Sequence, residues 1–200
     1  MKGSQSVLAA LVCAFQGGSI ATSPPERGQY ITNHNDPRNL YKAYAKVQDE
    51  YRSQAFQCKD WKVLSHQHDV TVSLLQHAND PTCPYVKMEG ILPVPVEDCW
   101  NFLRVSEWDR SMPKMDPYYE GISVHGEYQY HDTHRKVPTT IHMILCRKRM
   151  KRILGAFGKR DLVFLSCTED SPLPDGSWVS GTVSVRTDRL PRVHGYTRAF

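Results

Sequence analysis

The sequence predicts an α+β domain in which an N-terminal helix precedes a curved antiparallel sheet that is interrupted by one short helix. Three observations predict it. Apolar and aromatic residues recur at three-to-four spacing from Leu40 to Tyr51. After Asp60 the spacing changes to alternation of period two. Beyond Met115, strand-like runs are separated by turns that carry Gly and Pro. This order suits helices packed on an antiparallel sheet whose apolar inner face wraps a cavity.

The first segment, residues 1–22, has Lys2, then the apolar run Val7 to Phe15, then Ser19, Ala21 and Ser23 at its small-residue end. It reads as a signal peptide or as an amphipathic helix with Val7, Leu8, Leu11, Val12 and Phe15 on one face. The run is far shorter than the ~20 residues that span a bilayer. Arg27 is the one arginine before Arg38, which argues against a mitochondrial presequence. Residues 23–36, rich in Ser, Pro, Gly and Asn, read as a linker. Asp36-Pro37 then supplies an N-cap and a proline at the first helical position. Leu40, Tyr41, Tyr44, Val47 and Tyr51 carry an amphipathic helix to about Phe56. Its aromatic stripe is expected to pack on the sheet.

Trp61 and Val63, then Val70, Val72 and Leu74, then Tyr85 to Leu92 give three successive strands, with turns near Gln67 and at Asn79-Asp80-Pro81. Pro93-Val94-Pro95 ends the third. Val96, Trp100 and Leu103, with Glu97 and Asp98 in the first turn, predict a helix over about 95–104. Further strands are expected at Tyr118–His125, Glu127–Thr133, Leu162–Cys167, Trp178–Arg186 and from Gly195 onward. Gly126 turns the first pair, and Pro172 to Gly176 the second.

Composition narrows the function. Hydrophobic residues make up 40% and charged residues 23% of the chain, as in soluble globular proteins. A net charge of +4 does not call for nucleic acid as partner. The charge is uneven, however: Arg147 to Arg160 holds seven basic residues and no acidic one. Here Arg147, Lys148, Arg149, Lys151 and Arg152 precede the apolar Ile153 to Phe157. The segment reads as a device facing an anionic membrane or as a solvated basic loop with RNA affinity or a nuclear address. The six cysteines lack any C-x-x-C pair and read as free thiols of a cytoplasmic protein. Their even number keeps open a secreted or lumenal binding protein with paired cysteines, whose basic segment meets an anionic polymer. His66 and His68 share a strand face with Asp69 adjacent, too few ligands for a zinc site. No nucleophile elbow, phosphate loop or dinucleotide fingerprint occurs, so no cofactor and no catalysis are expected.

Four ordered patterns resemble the START family of lipid-transfer domains. They are Asp60-Trp61-Lys62-Val63; Glu89-Gly90-Ile91 through Pro95-Val96-Glu97-Asp98 to Glu107-Trp108-Asp109; Lys159-Arg160-Asp161-Leu162-Val163; and Ser184-Val185, Pro191 and Gly195-Tyr196-Thr197-Arg198-Ala199. Together they cover about residues 60–200. The resemblance implies a helix-grip fold over residues 37–200, one lipid enclosed in an apolar cavity, and no catalytic machinery. Val70, Val72, Leu74, Ile91, Ile122, Val124, Val163, Leu165 and Val183 are the expected lining. Trp108, Asp109, Arg160 and Asp161 are the expected binding residues at its ends, although Trp108 also reads as core and Arg160-Asp161 as an ion pair that fixes a strand end. Arg104 joins them because phosphatidylcholine-binding members carry an arginine just before the Trp-Asp pair; it lies one residue out of that register. Ser166 stands where sterol-binding members carry a charged partner, so a phospholipid or other acyl lipid is favoured over a sterol. In the family the last matched strand is followed by another strand and a long C-terminal helix. The chain stops at Phe200, so the lid helix is expected to be absent and lipid binding weak without an extension.

Overall fold

The computed structural model describes residues 7–14, 29–30, 36–50, 59–76, 85–103, 107–134, 138–152, 158–170, 178, 180–187 and 189–199. In chain order the elements are β1 (Val7–Ala14), β2 (Gln29–Tyr30), α1 (Pro37–Glu50), β3 (Lys62–Gln67), β4 (Val70–Leu75), β5 (Tyr85–Leu92), α2 (Val96–Leu103), α3 (Trp108–Met115), β6 (Tyr119–Asp132), β7 (Thr139–Met150), β8 (Arg160–Glu169), β9 (Ser180–Arg186) and β10 (Thr197–Ala199). They fall into two compact units, residues 1–24 with 49–101 and residues 25–48 with 102–200.

The first unit is an antiparallel sheet in the order β1-β5-β4-β3. His68 and Asp69 join β3 to β4 with φ of 51° and 60°. Two successive left-handed residues match the twist of a tight hairpin, and His and Asp tolerate that conformation better than branched residues. Lys87 lies 4.9 Å over the Trp61 ring and 2.9 Å from Glu89. The helical periodicity noted for residues 7–15 does not survive: Val7–Ala14 is a strand paired along β5, from Val7 opposite Leu92 to Ala14 opposite Tyr85. A helix this short is marginal by itself, whereas the open edge of β5 offers a full row of backbone partners.

The second unit has the order β2-β9-β8-β7-β6, with β10 also pairing β8. Its long pairs are antiparallel, while β2 on β9 and β10 on β8 are parallel. The two residues of β2 belong to the segment read as a linker. Gly126, expected to turn the chain, sits instead at a bulge, where the register shifts between Val124 and Gly126, and β6 runs on as one strand. A Cβ at Gly126 would collide with the ring and hydroxyl of Tyr128, so glycine lets the bulged backbone pass beneath it. Neither β7 nor α3 was expected as an element. Asp36 caps α1 through a 2.9 Å bond from the Arg38 N–H, and Pro37 opens the helix as its sequence predicts. Leu40, Ala43 and Tyr44 then pack on Ile141, Met143, Leu145, Val163, Leu165 and Val185 to form the core. Tyr41 stacks on Tyr130 at 4.4 Å, and its hydroxyl donates to Asp132 at 2.6 Å.

Candidate functional site

Strand geometry gives the larger sheet two faces, because successive side chains point to opposite sides. One face is the core under α1. The other carries Ile122 from β6, Ile144 and Cys146 from β7, and Leu162, Phe164 and Ser166 from β8, as their cross-strand register requires. Cys146 and Phe164 are buried there, with Ile122, Ile144, Leu162 and Trp108 packed around them. Trp108 is tilted 34° to Phe164 at 5.6 Å between centroids, so the first residue of α3 lies over an apolar strip of the sheet.

Short polar contacts hold α3 on that strip. The Asp109 carboxylate accepts from the Tyr119 hydroxyl at 2.5 Å and from the Ile122 N–H at 3.3 Å. Burial pushes the Tyr119 hydroxyl well above the usual phenol range, and the Asp109 hydrogen bond and charge add to it. Lys148 reaches Asp116 at 3.2 Å and lies 5.6 Å over the Tyr119 ring. Farther along the same face the chemistry turns polar. His142 pairs with Asp170 at 2.5 Å and faces Gln129 at 3.4 Å, and Thr168 is its cross-strand neighbour. An open groove of about 240 Å³, lined by Glu127, Gln129, His142 and Ile144 with Tyr128 and Met143, runs here. It is smaller than the ~300–1,000 Å³ of typical small-molecule pockets.

The expected binding residues separate. Arg104 lies outside the described residues. Trp108 and Asp109 meet at the start of α3, and Arg160, half-buried at the head of β8, belongs to the face of Leu162 and Phe164 by strand alternation. Asp161 is on the opposite face and fully buried. It does not serve as the ion-pair partner of its neighbour: Arg198 grips it at 2.8 and 3.0 Å, and Arg147 approaches at 3.7 Å. Arg198 and Arg147 also donate to the carbonyl of Pro191, at 3.1 and 2.5 Å, which ties β7, β8 and β10 to the turn before β10. Burial and the Arg198 charge lower the proton affinity of Arg147, and Asp161 opposes them.

The basic segment likewise divides. Arg147 and Lys148 are inside the ladder with the partners just named, whereas Arg149, Lys151 and Arg152 are exposed. The apolar residues that follow, Ile153 to Phe157, lie outside the described residues. Of the expected lining, Val163, Leu165 and Val183 belong to the core under α1, Ile122 to the second face, and Val124 and Ile91 are exposed. Ile144, Cys146 and Phe164 were not singled out from the sequence. The unbroken apolar run Met143 to Cys146 is the signal that marks them, since a strand covered on both faces does not alternate. Cys99, Cys146 and Cys167 are free thiols, and burial raises all three. Among the described residues no group of three His, Cys, Asp or Glu side chains is placed to hold a metal, and no helix is long and apolar enough to cross a membrane.

No family model and no curated protein matches the chain. Among solved structures it is similar to human StAR-related lipid transfer protein 5, with a TM-score of 0.59 and 19% identity over 80% of this chain and 68% of that one. The antiparallel sheets, the three helices and this likeness together give the chain a START-like, helix-grip α+β fold.

Proposed function

We propose that the chain is a non-catalytic lipid binder that holds one phospholipid or other acyl lipid against the second face of its larger sheet. One observation carries the reading: that face grades from the Cys146–Phe164 strip under Trp108 to the polar stretch at His142, Gln129 and Asp170. An amphiphile needs that gradient, apolar along its chains and hydrogen-bonding at its head. In this reading Trp108 contacts acyl chains, His142 and Gln129 meet the head, and Asp109 fixes α3; Arg160 heads β8 at the end opposite His142 and Asp170 and does not meet the head in this pose, and Arg104 lies outside the described residues. Asp161, buried under Arg198 on the other face, acts as a structural anchor. Uncharged Ser166 favours an acyl lipid over a sterol. The structural neighbour is by name a lipid transfer protein, which supports the same class. Among the described residues three cysteines are free, which favours a cytoplasmic protein over a secreted one.

Lipid extraction and mass spectrometry of the purified chain, paired with transfer of a fluorescent phospholipid, test the proposal. Acyl lipid is expected in the extract, and Ile144→Glu, which sets a charge on the apolar strip, is expected to abolish loading. A chain without lipid that transfers none, or an Ile144→Glu variant that loads normally, overturns it. Thiol titration of the denatured protein checks the compartment: an absence of free thiols would favour the secreted reading.

A further inference from the structure

We infer that one end of the β6–β7 ladder is a membrane-docking surface. There Met115 and Tyr118 enter the interface of an anionic bilayer while Lys114, Lys151 and Arg152 meet its headgroups. The inference rests on the lipid-binding reading, and it names the place where such a protein would meet its donor or acceptor membrane.

The geometry starts with a chain reversal. Helix α3 ends at Met115, Tyr119 begins β6, and the Lys151 N–H donates to the Tyr118 carbonyl at 2.7 Å. The last turn of α3, the turn after it and the basic end of β7 therefore lie side by side. Met115 is 54% and Tyr118 40% exposed, and Lys114, Lys151 and Arg152 are all exposed. Single exposed apolar side chains are ordinary; two beside a set of cations are the composition that interfacial surfaces use.

The surrounding carboxylates are occupied elsewhere. Asp116 is held by Lys148 at 3.2 Å, and Glu120 by Tyr196 at 2.8 Å to each oxygen and by Lys159 at 3.5 Å. Asp109 accepts from Tyr119 and Ile122, and Glu107 lies 4.0 Å from Arg110. Among the described residues none makes a hydrogen bond or ion pair with the side chains of Lys114, Lys151 or Arg152, whereas Arg149 lies opposite Asp161 in the ladder and its charge already favours the Glu120 carboxylate. The charge of Lys114, Lys151 and Arg152 is left for an external anion, and Tyr is a side chain that settles at the headgroup level. This surface replaces the one read from the basic run alone. It drops Arg147, Lys148 and Arg149 and gains Lys114, Met115 and Tyr118 from an element distant in sequence.

Co-sedimentation with phosphatidylcholine vesicles, with and without phosphatidylserine, tests it. Binding is expected to need the anionic lipid and to weaken with salt. At about fivefold per cation, Lys114→Glu, Lys151→Glu and Arg152→Glu together are expected to lower it by roughly a hundredfold or more. The pair Met115→Ser and Tyr118→Ser is expected to lower it about tenfold. Arg189→Glu with Arg192→Glu, on the turn before β10, is the control and leaves it unchanged. Equal binding to both vesicles, or a charge-reversed variant that sediments normally, overturns docking. Retention by heparin that matches vesicle binding and ignores Met115 and Tyr118 overturns it in favour of a general polyanion surface. Lipid carried by each purified variant is measured separately. A chain that purifies empty yet sediments through these residues sinks the carrier reading and upholds docking.

Discussion

Replacing Asp161 with alanine removes the carboxylate that Arg198 and Arg147 share. Asp161 is fully buried, and the Arg198 and Arg147 side chains are 5% and 14% exposed. The variant therefore leaves two guanidinium groups close together in a poorly solvated place. Breaking a buried ion pair from one side costs about 3–5 kcal/mol. Hydrogen bonds from Arg198 to the carbonyls of Leu190 and Pro191, and from Arg147 to that of Pro191, remain. They place the expected loss near the lower end, about 3 kcal/mol. That is a large part of the ~5–15 kcal/mol by which domains are stable. Asp161→Leu combined with Arg198→Met removes the pair as a whole. It is expected to recover most of the loss, because apolar substitutes for buried ion pairs are often neutral. Urea unfolding followed by circular dichroism measures each variant, with midpoints compared at equal m-value. A loss below about 1 kcal/mol for Asp161→Ala, or a double variant no more stable than the single one, refutes the account of this cluster.

Two further perturbations follow from the second face. Trp108→Ala, at a half-buried aromatic packed on Phe164, is expected to cost about 2 kcal/mol, part of the ~3–5 kcal/mol of a fully buried site, and to reduce lipid loading; urea midpoints and lipid mass spectrometry read the two effects. Alkaline pH is expected to destabilise the fold. Burial keeps the Cys146 thiol protonated up to about 12 and raises Cys167 as well, against 9.0 for an ordinary thiol. The unfolded chain releases those protons first, so stability is complete below pH 9.0 and falls as pH rises towards 12, by about 1.4 kcal/mol per unit for each thiol. Urea midpoints recorded across that range check it, and a flat profile rules it out.

Much of the fold was written in local pattern. Asp36-Pro37 caps α1 as read, and β3, β4, β5 and α2 start and stop within a few residues of their expected bounds, because turn formers punctuate them. What escaped depends on partners far along the chain. Arg147 and Lys148 look like loop residues until Asp161 and Asp116 arrive to neutralise them. The run Met143 to Cys146 has no alternation because Met143 and Leu145 pack in the core under α1 while Ile144 and Cys146 pack on the second face. Helix α3 is eight residues long and contains Pro113, so it offers little periodicity; Asp109 and Trp108 hold it through contacts with β6 and β8. The strand at Val7–Ala14 carries a spacing compatible with either element, and pairing with β5 decides it. For the candidate site, Trp108 and Asp109 were visible as residues. That Arg160 and Asp161 part to opposite faces follows only once their strand is known.

Strand β8 shares one edge between two partners, β9 along Phe164–Thr168 and β10 along Arg160–Leu162. The second partner comes 37 residues after the first residue it meets, runs parallel, and brings Arg198 to Asp161. During synthesis, Asp161 thus leaves the ribosome well before its main counterion. Until then its half of β8 has strong reason to stay hydrated, since an acid cannot be buried cheaply alone. Parallel pairing across such a separation is slow to form. Arg147, earlier in the chain, approaches Asp161 at 3.7 Å, so the Asp161 end of β8 is expected to close fully once Arg198 joins it.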